Sequence, residues 1–277
     1  MSDFTTIRYE VLPEAVGRIT LARPEVRNAQ NKRMTYELND AFDLAARDPA
    51  VKVIVLAADG PDFSSGHDLR DPESVSDFHP VGTWSGFDLP GGEGIMGLEH
   101  EIFLDMCWRW RNIPKPVIAQ AQGRTIAGGL MLLWVCDLII AADDASFADP
   151  VVGFGVNGVE YFGHPWELGP RKAKELLFTG DYIPAESALQ LGMVNRVVPA
   201  AQLSAETLKL AAHIATKPTF GLKLAKESVN QAQDAQGMWS ALKAAFSLHE
   251  LGHTHNRAVY DSWVDPAGLG TNYKKVR

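Results

Sequence analysis

The sequence predicts an α/β fold. Runs that read as strands alternate repeatedly with runs of helical period, as expected when strands and helices form separate packed layers. One strand run, VKVIVLAA at 51–58, is apolar and β-branched almost throughout, which suits a sheet covered on both faces. Two strand runs lead into glycine-bearing turns, FSSGHDL at 63–69 and GRTIAGG at 123–129, where backbone N–H groups can come close to a ligand.

In chain order, residues 18–22 read as a strand. Residues 32–47 read as a helix with Met34, Leu38, Phe42 and Ala45 on one face. The 51–58 strand follows. Residues 71–97 are rich in Gly and Pro, contain Trp84 and Phe87, and show no period, so they read as a long loop of the kind that is functional or mobile. A helix at 99–110 is ended by Pro114 and Pro116. A strand at 117–122, a helix opening at Gly128 and a strand at 138–142 continue the alternation. Helices are expected at 171–178 and 184–191, the second closed by Gly192, with a short strand at 194–198. From Ala201 the chain reads as helical, and from Asp265 as irregular.

Composition narrows the function classes. Hydrophobic residues make up 46% of the 277 and charged ones 22%, enough for a large core in a globular chain. A net charge of −8 argues against nucleic acid as a partner. Cys107 and Cys136 alone build neither a disulfide framework nor a four-cysteine zinc site, and they fit a reducing, cytoplasmic setting. The start MSDFTTIRYE lacks the apolar centre of a signal peptide. The run LMLLWVCDLIIAA at 130–142 is short of the ~20 apolar residues that a membrane span needs and carries Asp137.

The helix opening at Gly128 suggests chemistry. A helix start leaves N–H groups unpaired and carries partial positive charge. Two such groups aimed at one point form an oxyanion hole for charge developing on a carbonyl oxygen.

At these residues the chain resembles the crotonase (enoyl-CoA hydratase/isomerase) superfamily. RPEVRNA at 23–29 is similar to that family's R-P-x-x-x-N-A turn, and FSSGHDL to its F-S/A-x-G-x-D-L/I segment. The stretch from Pro114 to Pro150, ending in FADP, resembles its central signature, and KELLFTG with PAESALQLGMVNRVV its closing helix–helix–strand stretch. The resemblance implies a crotonase-like spiral of ββα units over 1–200 and a helical oligomerisation region over 201–277, assembled as a homotrimer or hexamer. It implies an acyl-CoA thioester as ligand, with no cofactor beyond the CoA moiety. The oxyanion donors by position are the N–H groups of His67 and Gly128. Arg27, Ser65, Asp68, Leu69 and Arg70 are the expected CoA contacts; Arg23 is a further arginine able to meet phosphate. Met131, Val151, Trp84 and Phe87 are expected to line the acyl pocket, with Trp108 and Trp110 as further aromatic candidates.

The chain departs from the pattern where hydratases of this family carry two glutamates. Met131 stands three residues after the oxyanion glycine, and Val151 follows the proline of FADP. Hydration needs groups that activate water and deliver a proton, and neither side chain can do so. The segment 153–165, GFGVNGVEYFGHP, holds the best candidates to replace them. Glu160 is the first candidate acid–base group, a carboxyl beside the expected acyl pocket, ahead of Asp149 and His164; Tyr161 is a candidate hydrogen-bond donor. A relative with the same G-H-D triplet decarboxylates a malonyl-type thioester, which needs only the polarised carbonyl; the His67 imidazole is then left to packing, and Asp68 to capping its turn. The expected activity is lyase or isomerase chemistry on an acyl-CoA, the alternative a non-catalytic acyl-CoA binder.

A second motif competes. His249-Glu250-Leu251-Gly252-His253 matches H-E-x-x-H, the zinc pattern of metallopeptidases. The extended form fails at Asn256 and Val259, no glutamate follows Glu250, His255 points elsewhere on a helix, and only Asp261 and Asp265 remain as a third ligand. The segment falls in the region expected to serve assembly, so no metal site is expected, and a zinc peptidase is the remote alternative.

Overall fold

The computed structural model describes residues 4–271. Among these residues nine strands form two sheets. The larger runs β1 (Ile7–Leu12), β2 (Val16–Leu21), β3 (Val53–Ala58), β4 (Val117–Ala121), β6 (Leu138–Ala142) and β9 (Arg196–Val198), in the order β1-β2-β3-β4-β6-β9. The smaller joins β5 (Arg124–Ile126), β7 (Ser146–Ala148) and β8 (Ile183–Pro184), in the order β5-β7-β8. In the large sheet only β1 and β2 pair antiparallel; the other neighbours are parallel.

Strand β3 shows why the apolar run was legible. Val53, Val55 and Ala57 turn to one face, against Ile118, Ile140 and the C-terminal residues Leu203, Ala211 and Ala215. Ile54, Leu56 and Ala58 turn to the other, into the main core with Met34, Leu38 and Phe42. Alternation sends successive side chains to opposite faces, and both faces are covered. Residues 51–58 therefore carry no polar stripe apart from Lys52.

Two successive units then repeat one move. After β4 the chain turns into β5 and then helix α4 (Gly128–Trp134); after β6 it turns into β7 and on to α5 (His164–Thr179). The first strand of each unit enters the large sheet and the second the small one, so β6 lies beside β4 and β7 beside β5. Ser64 bridges Thr125 in the same way one turn earlier. This is the spiral of ββα units expected from the resemblance.

The helices agree with the sequence reading in part. Helix α1 (Lys32–Arg47) has the expected bounds, and the Asn31 side chain caps it by accepting from the Met34 N–H. The helix expected from residue 99 begins earlier, as α2 (Gly92–Glu99), then widens into a π-helical stretch at His100–Asp105 before α3 (Met106–Arg111). Helix α5 bends at Gly169 (φ +70°), just before Pro170, so the sequence exposed only its second half. Helix α6 (Ala185–Leu191) ends at Gly192 in the left-handed conformation. The C-terminal region is helical: α7 (Leu203–Ala215), α8 (Thr219–Ala235), α9 (Met238–Tyr260) and α10 (Pro266–Thr271).

Two expectations are corrected. The tail from Asp265 is helical as far as Thr271, residues 272–277 lying outside the described residues: α10 forms despite a poor helical composition, because Asp265 accepts the Ala267 N–H and donates its own N–H to Phe154 O. The 71–97 segment is not without structure. Val75 is buried in a short 3₁₀ turn closed by a Ser74–Asp77 capping box. Buried Glu101 accepts from the Gly82 N–H at 2.8 Å and the Tyr36 hydroxyl at 3.2 Å, tying the loop to the π-helical stretch.

Candidate active site

The two glycine turns pack against each other. Gly66 is in the left-handed region (φ +93°), and a Cβ there would lie 2.9 Å from Ile126 O and 3.3 Å from Gly128 N. Gln30 pairs with His67 in a parallel bridge through its N–H to Gly66 O and through Asp68 N–H to Gln30 O, a pattern that leaves the His67 N–H out of the ladder. Ala127 adopts φ +48° and ψ −117°, a costly conformation for alanine, at the entry to α4. Gly128 is the first residue of that helix, so its N–H lacks an intrahelical partner. Asn28, fully buried, braces the first turn: its side chain accepts from the Arg23 N–H and donates to Asp59 O and Asp62 O.

These turns open on a cavity of about 570 Å³, within the range of small-molecule sites. His67 and Ala127 line it, as do Val151, Phe154, Val156 and Val159. Arg27, Ser65, Asp68, Leu69 and Arg70, the residues expected to meet CoA, line it too. Arg27 is 3.7 Å from Asp62, and Asp68 pairs with Arg23 at 2.9 Å and accepts from the Arg70 N–H, the turn-capping role anticipated for it.

The far wall is polar and buried. Glu160 is 3% exposed; its Oε1 lies 3.7 Å from His67 Nδ1 and 3.5 Å from His249 Nε2. Its Oε2 has no hydrogen-bond partner among the described residues. The His67 imidazole, assigned only a packing role from sequence, stacks on Phe103 with ring centroids 3.8 Å apart and also turns Nδ1 toward Glu160. Beyond Glu160 lie His249, His253 and Glu99, all lining the same cavity. Glu99 Oε2 is 3.3 Å from His249 Nε2, and Oε1 is 3.4 Å from His253 Nε2. Burial alone would lower the His249 pKa, but the facing carboxylates of Glu160 and Glu99 outweigh it and push it up to about 10. Burial, then the neighbouring Glu99, drives Glu250 up to about 9.

The HELGH segment therefore contributes His249 and His253 to the site wall, a role beyond the helical assembly region expected for it. On α9 the histidines at i and i+4 share one face. Gly252 between them presses on the 153–156 loop, where a Cβ would lie 2.7 Å from Gly155 O. Glu99 was missed because it read as an ordinary helix start; the π-helical stretch that follows it is the kind of distortion found at functional sites.

Other anticipated residues sit elsewhere. Met131 is 1% exposed and does not line the cavity; its Sδ accepts the Tyr161 N–H at 3.4 Å. Trp84 meets His100 in a tilted ring pair (4.6 Å), and Phe87 packs beside the main core; neither is among the lining residues. Trp108 stacks on Trp239, and Trp110 is buried against Phe42. Asp149 and His164 are both fully buried and paired at 2.7 Å. Asp149 also accepts from the Val151 and Val159 N–H groups, closing the loop that presents Glu160. Tyr161 is buried in the core.

Comparison with known proteins agrees with this architecture. The sequence pattern of enoyl-CoA hydratase/isomerase matches residues 12–88 and 95–259. The chain belongs to the enoyl-CoA hydratase/isomerase family. EchA13 of Mycobacterium tuberculosis, provisionally named an enoyl-CoA hydratase, is 47% identical over 99% of this chain and 86% of its own length. The mouse mitochondrial enoyl-CoA hydratase domain-containing protein 3 is 30% identical over 90% of this chain and 76% of its own. The crystal structure of a probable enoyl-CoA hydratase from Mycobacterium smegmatis superposes with a TM-score of 0.86 at 48% identity, covering 94% of this chain and 98% of that one. Among the described residues of this family member, no helix is long and apolar enough to cross a membrane.

Proposed function

We propose that the chain binds an acyl-CoA thioester and moves a proton along its acyl chain, with Glu160 as the acid–base group. The observation that carries this reading is the Glu160 carboxyl: it is buried, it lines the cavity shared with the His67 turn, and its Oε2 is unpartnered among the described residues. The thioester carbonyl takes the His67 and Gly128 N–H groups, and the hole stabilises an enolate. Arg27 and Arg70 meet the phosphates of CoA. With Met131 and Val151 in place of two glutamates, Glu160, whose Oε1 stands 3.7 Å from His67 Nδ1, is the carboxyl placed to act. One carboxyl suffices to take a proton from C2 of a 3-enoyl thioester and return it to C4. The double bond then moves into conjugation, and no second reactant is consumed. The exposed Phe220, Leu224, Leu248, Leu251 and Val259 of α8 and α9 suit a homotrimer or hexamer, which light scattering measures directly.

The test follows conversion of 3-enoyl-CoA to 2-enoyl-CoA by the absorbance of the conjugated thioester. Glu160→Gln should lower kcat by about 10²–10⁴-fold while CoA-ester affinity holds. Undiminished turnover in the variant removes Glu160 from the mechanism. Hydration of a 2-enoyl thioester by wild type, without isomerisation, replaces the reaction. Tight binding without turnover of any thioester selects the non-catalytic binder.

A further inference from the structure

We propose that Glu99, His249 and His253 form a binding site for one divalent transition-metal ion of zinc's chemical class in the cavity wall. The inference stands on the geometry of these three residues and does not rest on the acyl proton-transfer reading.

One ligand atom from each residue lies within 4.8 Å of the others, and all three residues are buried. The separations from His249 Nε2 to Glu99 Oε2, 3.3 Å, and from His253 Nε2 to Glu99 Oε1, 3.4 Å, each have the length of a tetrahedral edge. With metal–ligand bonds of about 2.0–2.1 Å, that edge is about 3.3–3.4 Å. A small shift of the carboxylate brings one oxygen to both imidazoles.

The imidazoles are already oriented. His249 Nδ1 is 2.7 Å from Gly158 O, and His253 Nδ1 is 2.6 Å from Trp263 O. A carbonyl only accepts, so each Nδ1 carries hydrogen and each Nε2 is left facing Glu99. This is the outer hydrogen bond that sets the tautomer of a metal-ligating histidine. His249 Nε2 and Glu99 Oε2, both buried, face each other at 3.3 Å without hydrogen-bond geometry, so an ion seated between them would replace a poorly aligned pair.

The donor set selects the ion. Two imidazoles and one carboxylate suit zinc and its first-row neighbours, whereas magnesium and calcium prefer all-oxygen shells. The fourth direction faces the cavity, where Glu160 Oε1 stands 3.5 Å from His249 Nε2. Binding requires neutral imidazoles, so it releases protons. The third ligand that H-E-x-x-H needs thus arrives from the α2–π junction instead of from the residues after the motif.

The test measures metal directly. Full-length protein made without a polyhistidine tag is loaded with zinc, dialysed and assayed by mass spectrometry for metal per chain. Wild type should hold about one ion, with His253→Ala and Glu99→Gln at background. Because Glu99 is buried and its variant risks misfolding, Co²⁺ is also titrated into wild type, where four-coordinate visible bands should saturate at about one equivalent. Glu160→Gln should keep the metal while losing isomerisation, which separates failure of this site from failure of the acyl reading. No retained zinc and no cobalt band in wild type overturns the proposal, as does undiminished zinc in folded His253→Ala.

Discussion

The backbone N–H of Tyr161 donates to the Sδ of Met131 at 3.4 Å. A buried thioether therefore holds the residue next to Glu160. Thioether sulfur is a weak acceptor, but here it is the hydrogen-bond partner of a buried N–H.

Met131→Leu keeps the volume and removes that acceptor. Stability should fall by about 1–3 kcal/mol, the cost of leaving a buried donor unsatisfied. Glu160 loses its fixed neighbour, so kcat should fall more than KM changes. Urea unfolding and steady-state kinetics read the two effects; a variant with wild-type stability and kcat removes Met131 from the positioning of Glu160.

Gly128→Ala places a methyl group against His67 Nε2, whose ring cannot retreat without breaking its stack on Phe103. Turnover should drop at least ~10-fold through loss of transition-state contacts worth over ~1.4 kcal/mol. Gly221→Ala is the control: its Cβ meets open space on α8, and it should raise helix stability by roughly 0.5–1 kcal/mol with kinetics unchanged. Equal kinetics in the two variants would detach the Gly128 turn from catalysis.

Asp149→Asn should destabilise the fold by roughly 3–5 kcal/mol, because it unpairs a buried partner. Its amide N–H groups must face either the Val151 N–H or the Val159 N–H and His164 together, where carboxylate oxygens now stand. Thermal melts with and without a CoA ester would show a lowered midpoint; a shift confined to activity would mean that the pair is catalytic instead of structural.

Acid should weaken the fold through Asp62. Burial alone would raise its pKa, but hydrogen bonds from the Arg124 side chain and N–H, with Arg27 nearby, hold it below the ordinary carboxylate value. A depressed native pKa gives stability that is complete above the unfolded value of about 3.9 and is lost as pH falls through the folded value. Urea midpoints for wild type should therefore decline below about pH 4. Asp62→Asn should start lower at pH 7 and decline less steeply; parallel curves would assign the acid loss to other carboxylates.

The fold was legible where burial repeats with a simple period. Helix α1 and strand β6 carry their bounds in their apolar spacing, and β3 announces its two covered faces. Strand β1 was missed because only Ile7 is buried along it, and β5 and β7 because three residues hold no period. The site was legible at its glycine turns and at Glu160. Glu99 was not: no local pattern says that a π-helical turn brings it to α9. Trp84 read as pocket lining because it is aromatic, whereas it leans on His100 away from the cavity and stays 41% exposed.

Gly252 has a further meaning for sequences that share H-x-x-x-H on this helix. A side chain at that position would strike Gly155 O, so the 153–156 loop and α9, which carries both imidazoles, could not keep their present spacing. The residue before the second histidine is then a marker: a glycine there reports a helix seated against that loop with the pair facing inward, and a bulkier residue reports histidines that share the spacing without the function.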